Sequence, residues 1–147
     1  MNINLKMMRK LFLFLAIPLL LSSCNLDGDS HEQYTGYVSV YETQIPDSAM
    51  VGENISILAK AIAPNGCWSN LNIYLGKSAS VDTLYGISAT GFFESYDGIC
   101  ADVLVTKETT FDFKAYKVGT YIFVSYLASL ATSMDTLVVY DTVSGKK

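Results

Sequence analysis

Histidine and positive charge are what this sequence has least of. Of its 147 residues one is a histidine, His31, and ten are lysine or arginine against fourteen aspartate or glutamate. His31 falls in a polar leading segment, so the domain that follows is predicted to lack Ser–His or Cys–His catalysis and a histidine-based zinc site. No basic cluster is present apart from Lys146–Lys147. The sequence therefore predicts no nucleic-acid binding, which needs a cationic surface.

Phosphate-binding loops and helical periodicity are also missing from the sequence. No glycine-rich loop leads into a helical stretch, which removes the usual nucleotide-binding motifs. The carboxylates of Glu94, Asp97 and Asp102 lie close in sequence, as a glycosidase pair would, but acidic residues in solvated turns explain them better. The sequence predicts no enzyme, no cofactor and no metal.

The first 23 residues have the layout of a secretory signal peptide. A basic leading part precedes an apolar run over residues 11–21, which is shorter than the roughly 20 residues of a membrane-spanning helix. Two serines follow, and then Cys24. A cleaved signal peptide is the prediction, and a retained transmembrane helix is the alternative.

The four residues Leu21-Ser22-Ser23-Cys24 resemble the lipobox of bacterial lipoproteins. The resemblance implies cleavage before Cys24, with acyl chains on its sulfur and on its new amino group. Several chains on one residue would hold the protein on a membrane, since each buried CH₂ contributes about 0.8 kcal/mol. An ordinary signal peptide with a chance cysteine after it is the alternative.

Cleavage would leave a mature chain of 124 residues, enough for one ordinary domain and a tether. It would carry seven basic and fourteen acidic residues, a formal charge of −7. Residues 24–33 are predicted to be the lipidated cysteine and a flexible tether, residues 34–143 the domain, and residues 144–147 a disordered tail.

Acidic residues follow Cys24 closely, and they look similar to the surface-export signal of Bacteroidota lipoproteins: Asp27, Asp29 and Glu32. The whole chain is similar to small Bacteroidota lipoproteins of unknown role. The expected location is therefore the outer membrane, with the domain on its periplasmic face or at the cell surface.

Once Cys24 is assigned to lipid, Cys67 and Cys100 remain as a pair. In an oxidising compartment two such thiols are more often bonded than free. A bridge between them closes a loop of about 34 residues, for which chain entropy gives roughly 3–4 kcal/mol. A metal site is the alternative, and it would need further ligands.

Apolar and polar residues alternate with period two from Tyr34 onward, as in half-buried strands. Residues 54–63 are the clearest case, and residues 121–128 are the most apolar. Residues 67–70 are expected in a loop, and residues 100–106 in a strand. About eight short strands without a helix predict an all-β domain with two packed sheets.

Residues 111–123 resemble the last strands of bacterial immunoglobulin-like domains, in which a Gly-x-Tyr sequence opens the penultimate strand. The resemblance implies an immunoglobulin-like antiparallel β-sandwich of seven to eight strands, with the Tyr121 hydroxyl bonded back to the preceding corner. The cysteines depart from the antibody pattern, because Trp68 directly follows Cys67.

The only tryptophan, Trp68, has aromatic and amide neighbours in sequence. Aromatic faces beside amide side chains are typical of sugar sites, so Trp68, Asn70, Tyr74 and Tyr96 are candidate ligand-binding residues. Packing of Trp68 in the core is the competing interpretation.

Four positions fit the pattern Asp-(Ser/Thr)-small or aliphatic, which resembles the O-glycosylation signal of exported Bacteroidota proteins: Ser48, Thr83, Thr136 and Thr142. Asp-Thr-aliphatic is also a common way for a strand to begin, and that is the alternative.

These observations predict a non-catalytic, lipid-anchored module of the cell envelope. Its expected partners are the membrane, through Cys24, and another envelope protein, bound through an exposed face or sheet edge. The alternative function is a carbohydrate-binding accessory lipoprotein that uses the aromatic residues around Trp68.

Overall fold

The computed structural model describes residues 30–127 and 132–141. The predicted signal peptide, Cys24 and Thr142 lie outside the described residues. Within those ranges the chain is all-β, without a helix, and its eight strands form one curled mixed sheet. The strands are β1 His31–Gln44, β2 Ser48–Met50, β3 Asn54–Ala63, β4 Trp68–Lys77, β5 Leu84–Tyr96, β6 Val105–Lys114, β7 Gly119–Tyr126 and β8 Thr132–Tyr140.

Strand β1 belongs to two parts of this sheet. Its residues 31–38 pair with β5, and its residues 39–44 pair with β3, with an irregularity between Val40 and Glu42. We call β2, β8, β7, β5, β4 and residues 31–38 the large arm, and residues 39–44, β3 and β6 the small arm. The pairs β2–β8 and β5–β7 are parallel, so the expectation of an entirely antiparallel sheet is wrong at these two places.

The core lies between the inner faces of the two arms. On β3 the side chains at alternate positions from Ile55 to Ala63 are buried, and the strand has the bounds that its periodicity predicts. Phe113 of the small arm contacts Tyr85 and Phe123 of the large arm, with ring centroids 5.0 and 5.3 Å apart. Phe123 is fully buried, so this aromatic cluster joins the arms.

The corner between β6 and β7 is closed as the sequence predicts. The Tyr121 hydroxyl donates a hydrogen bond to the Lys117 carbonyl oxygen, 3.1 Å away, and the Tyr121 side chain is buried. The predicted bond back to the corner is therefore confirmed.

Three predicted boundaries differ from the structure. Strand β1 begins at His31, so the last residues of the predicted tether belong to the sheet. Trp68 begins β4, because the Asn65 side chain accepts a bond from the Cys67 amide and the turn ends there. Cys100 lies in a loop. The carbonyl oxygen of the next residue, Ala101, accepts a hydrogen bond from the Gly66 amide in the β3–β4 turn and not from a neighbouring strand.

Candidate functional site

Among the described positions on the outer face of the large arm, charge is confined to one end of the β1–β5 ladder, where Glu94 and His31 point outward. The other outward positions are uncharged. Side chains alternate across a strand, and the buried residues fix which ones point inward. We call the following outward positions the uncharged face: Thr35, Tyr37, Ser48, Met50, Ser69, Asn72, Tyr74, Gly76, Leu84, Gly86, Ser88, Thr90, Phe92, Thr120, Ile122, Val124, Tyr126, Met134, Thr136, Val138 and Tyr140.

Strand register places apolar and hydroxyl side chains of this face next to one another, and Met134 of β8 pairs directly with Val124 of β7. Val138 of β8 pairs with Ser48 on one side and Thr120 on the other. In the neighbouring row Ile122 pairs with Thr136. Met134 is 72% exposed and Val138 49% exposed. Large apolar side chains that share an exposed, charge-free surface mark interaction sites in soluble domains.

The outer face of the small arm is the contrasting surface. It carries five charged side chains: Glu42, Lys60, Glu108, Asp112 and Lys114. Lys60 Nζ lies 3.0 Å from Glu42 Oε1, and hydrogen bonds from Gln44 and Lys60 lower the pKa of Glu42. Such a surface is well solvated, whereas burial of the uncharged face would leave no unpaired ion. Covering the small-arm face with a partner would therefore require desolvation of charged side chains, and covering the uncharged face would not.

Trp68 lies on the opposite side of the sheet from two of the other candidate ligand-binding residues. Trp68 pairs with Phe93, whose side chain points to the inner side of β5. Tyr96 and Ser88, the register partner of Tyr74, lie an odd number of residues from Phe93 along β5, so their side chains point to the outer side. Tyr74 and Tyr96 are exposed, while Trp68 is half-buried and packs against the core. One flat ligand would not contact Trp68 together with these tyrosines.

The Trp68 indole covers a pair of glycines that face each other on β1 and β5. A β-carbon on Gly36 would lie 3.0 Å from Trp68 Cη2, and one on Gly91 would lie 3.0 Å from Trp68 Cε3. The ring also meets Tyr34 and Phe93 edge-on, at centroid distances of 5.8 and 5.4 Å. The sequence signal for this arrangement is Thr-Gly-aromatic in both strands, since glycine inside a strand marks close approach.

Asn70 lies at the irregular part of β4, with a left-handed backbone (φ 49°). That conformation is tolerated by asparagine better than by most residues. The Asn70 carbonyl oxygen accepts a hydrogen bond from the Asn72 side chain, 2.9 Å away. The structure thus gives Asn70 a backbone role and leaves its side chain exposed.

His31 is part of the domain, which corrects the prediction that the domain lacks histidine. Its ring stacks on Tyr96 with centroids 4.3 Å apart, and its Nε2 donates to Glu94 Oε1 at 3.0 Å. Neither neighbour is a serine or cysteine nucleophile. The pair orders the end of the β1–β5 ladder, where His31 and Tyr96 are register partners.

The disulfide between Cys67 and Cys100 is present, with Cα atoms 5.3 Å apart. It joins the β3–β4 turn to the β5–β6 loop, so the expected link between a loop and a strand is in fact a link between two connections. The predicted acids Asp97 and Asp102 are exposed in the same loop. Within the described ranges no cluster of three or more His, Cys, Asp or Glu could hold a metal ion.

The candidate glycosylation sites fall in different environments. Ser48 and Thr136 belong to the uncharged face and are exposed. Thr83 follows Asp82, whose carboxylate lies 2.8 Å from Lys77 Nζ and 2.9 Å from Lys117 Nζ. Hydrogen bonds from these two lysines lower the pKa of Asp82 to about 2.

A shallow open groove of about 460 Å³ lies where β1 ends. At its edge the Thr43 hydroxyl donates to Asp135 Oδ2, 2.6 Å away. This bond links β1 of the small arm to β8 of the large arm. The groove therefore lies where the two arms of the curled sheet meet, and the uncharged face is the stronger candidate site.

Comparisons of the chain with protein-family models, with curated proteins and with solved structures give no match. Searching the described residues for a helix long and apolar enough to cross a membrane also gives none.

Proposed function

We propose that this protein is a non-catalytic lipoprotein of the outer membrane, anchored through Cys24, that binds another protein of the envelope. The uncharged face carries this proposal. It combines exposed methionine, valine, isoleucine and tyrosine side chains on a rigid sheet, and interface cores are depleted of charge and enriched in aromatic residues and methionine. The lipobox resemblance supports the anchor and the location.

For the fold we propose a divergent immunoglobulin-like sandwich. Three features support this: the antiparallel order β1–β3–β6 in the small arm, the terminal hairpin β7–β8, and the Tyr121 corner. The core shared by the two arms also fits. The parallel pairing of β5 with β7 and the disulfide between two connections depart from the antibody-type pattern.

Carbohydrate binding is the second candidate function, and one observation favours it. Tyr37, Thr90 and Asn72 lie side by side in one row of the uncharged face, with exposed Tyr74 in the next. Tyrosine rings beside hydroxyl and amide groups suit a sugar. In this version the site uses Tyr37 and Tyr74 in place of Trp68.

Site-specific photo-cross-linking in intact cells tests the proposed function. A photoreactive residue replaces Val138, an exposed residue of the uncharged face, in the full-length chain with its Cys24 intact. We expect light-dependent adducts with protein, because a partner seated on this face would contact that side chain directly. Adducts are separated by mass and identified by mass spectrometry.

The control places the same photoreactive residue at Thr110, an exposed position on the outer side of β6 in the small arm. Adducts at position 138 and none at position 110 would support the proposal. Absence of protein adducts at position 138, or equal adducts at both positions, would contradict it. Adducts with polysaccharide at position 138 would replace it by the carbohydrate function.

A further inference from the structure

We infer that the partner on the uncharged face is a second copy of this chain, with the two faces packed against each other about a two-fold axis. This inference rests on the proposed function, because it names the occupant of the same face. The shared surface would be isologous, so each residue of one copy would meet its counterpart region on the other.

Charge is the first argument for a second copy. The mature chain carries a formal charge of −7, so two copies repel each other in most orientations. The small arm presents Glu42, Glu108 and Asp112, and the end of the sheet near His31 presents further acids. Approach through the uncharged faces keeps these small-arm acids out of the contact, and the one carboxylate on the same outer side, Glu94, lies at its His31 end, beyond Phe92.

Size is the second argument. Across its width the face spans five neighbouring strands, β2, β8, β7, β5 and β4, and β1 adds Thr35 and Tyr37 beside β5. With strands about 4.8 Å apart and roughly 20 Å of useful length, its projection is roughly 500 Å² per copy. Protruding tyrosine and methionine side chains make the accessible area larger than the projection. The face therefore approaches the roughly 800 Å² per partner that a standard interface buries.

Side-chain chemistry is the third argument. Two sheets pack face to face about 10 Å apart when apolar side chains interdigitate between them. Ile122 on β7, the middle strand of the five, and Val138 and Met134 on neighbouring β8 supply such side chains. Tyr126 covers Gly86, where a β-carbon would lie 3.2 Å from its ring. Anchoring on one membrane would favour the dimer further by raising the local concentration.

Sedimentation equilibrium of the whole mature chain tests the inference. The chain begins at residue 24 and carries Cys24→Ser so that it stays in solution without lipid. We expect dimers in the micromolar range. Val138→Lys should weaken dimerisation at least about 100-fold, because the change would bury an unpaired ammonium group from each copy in the contact. Thr110→Lys, with the same change of charge on the small arm, should leave the dimer intact.

Several results would overturn the inference. A wild-type chain that stays monomeric up to roughly 100 μM, where a micromolar dissociation constant predicts almost complete dimerisation, would exclude the second copy. A dimer insensitive to Val138→Lys, or equally sensitive to Thr110→Lys, would place the contact elsewhere. A glycan on Ser48 or Thr136 of the native protein would occupy the face instead. A monomer whose position 138 still cross-links to a different envelope protein would reject the second copy and keep the proposed function.

Discussion

Replacing both Cys67 and Cys100 by serine should lower the free energy of unfolding by about 3–4 kcal/mol. The bridge spans a sequence separation of 33 residues, and removing it lets the unfolded chain explore conformations that the loop forbids. In the folded state the same residues hold the β3–β4 turn against the β5–β6 loop, where the Gly66 amide bonds the Ala101 carbonyl at 2.9 Å. Denaturant unfolding followed by Trp68 fluorescence measures the change.

Reduction supplies the control for this prediction. The wild-type protein unfolded in the presence of a strong thiol reductant should match the double-serine variant, while the variant itself should not respond to the reductant. A loss of stability below about 1 kcal/mol, far under the usual range for native bridges, would show that the bridge does not restrain the unfolded chain as argued.

Gly91→Ala should destabilise the protein by about 1–3 kcal/mol, the usual range for overpacking. The added β-carbon would lie 3.0 Å from Trp68 Cε3 and 3.3 Å from Leu71 Cδ1, so the indole would have to shift from the glycine pair. Because Trp68 is the only tryptophan, its emission should change in the same variant. Urea unfolding and the emission spectrum are the two measurements.

Gly76→Ala is the matched control, since it makes the same substitution in the neighbouring strand. A β-carbon at Gly76 meets nothing within 4 Å, so this variant should be as stable as the wild type or slightly more stable. The Trp68→Ala background should relieve much of the cost of Gly91→Ala, because the two residues are in contact. Equal losses at Gly76 and Gly91 would contradict the role given to Trp68.

The strands are predictable from this sequence because the apolar pattern of each is local. Residues 54–63 alternate cleanly and form β3 with the expected bounds. The Tyr121 corner is likewise predicted by a short Gly-x-Tyr sequence beside a turn. Pairing of the two remaining cysteines follows from their number, and the structure confirms it.

Pairing between distant strands does not depend on neighbouring residues in the sequence, and this limits what the sequence predicts about the site. The sequence predicts a loop at Trp68 because the strand-breaking run Pro64-Asn65-Gly66 comes just before it, yet Trp68 pairs with Phe93 and belongs to β4. The parallel contact of β5 with β7 also depends on how the sheet curls. The uncharged face is visible only after register sets side chains from six strands on one surface.

Methionine oxidation in intact cells tests most directly whether the uncharged face is covered. From residue 24 onward the sequence has two methionines, Met50 and Met134, and both belong to this face. Dilute peroxide is applied to cells and to the dilute purified protein, and oxidation is followed by mass spectrometry. Val118→Met supplies a reference methionine at an exposed corner outside the face. We expect Met134 to oxidise several-fold more slowly in cells than in the purified protein, while the reference is oxidised equally in both. Equal oxidation of Met134 in the two settings would show that the face is bare in the cell and would contradict the proposed function.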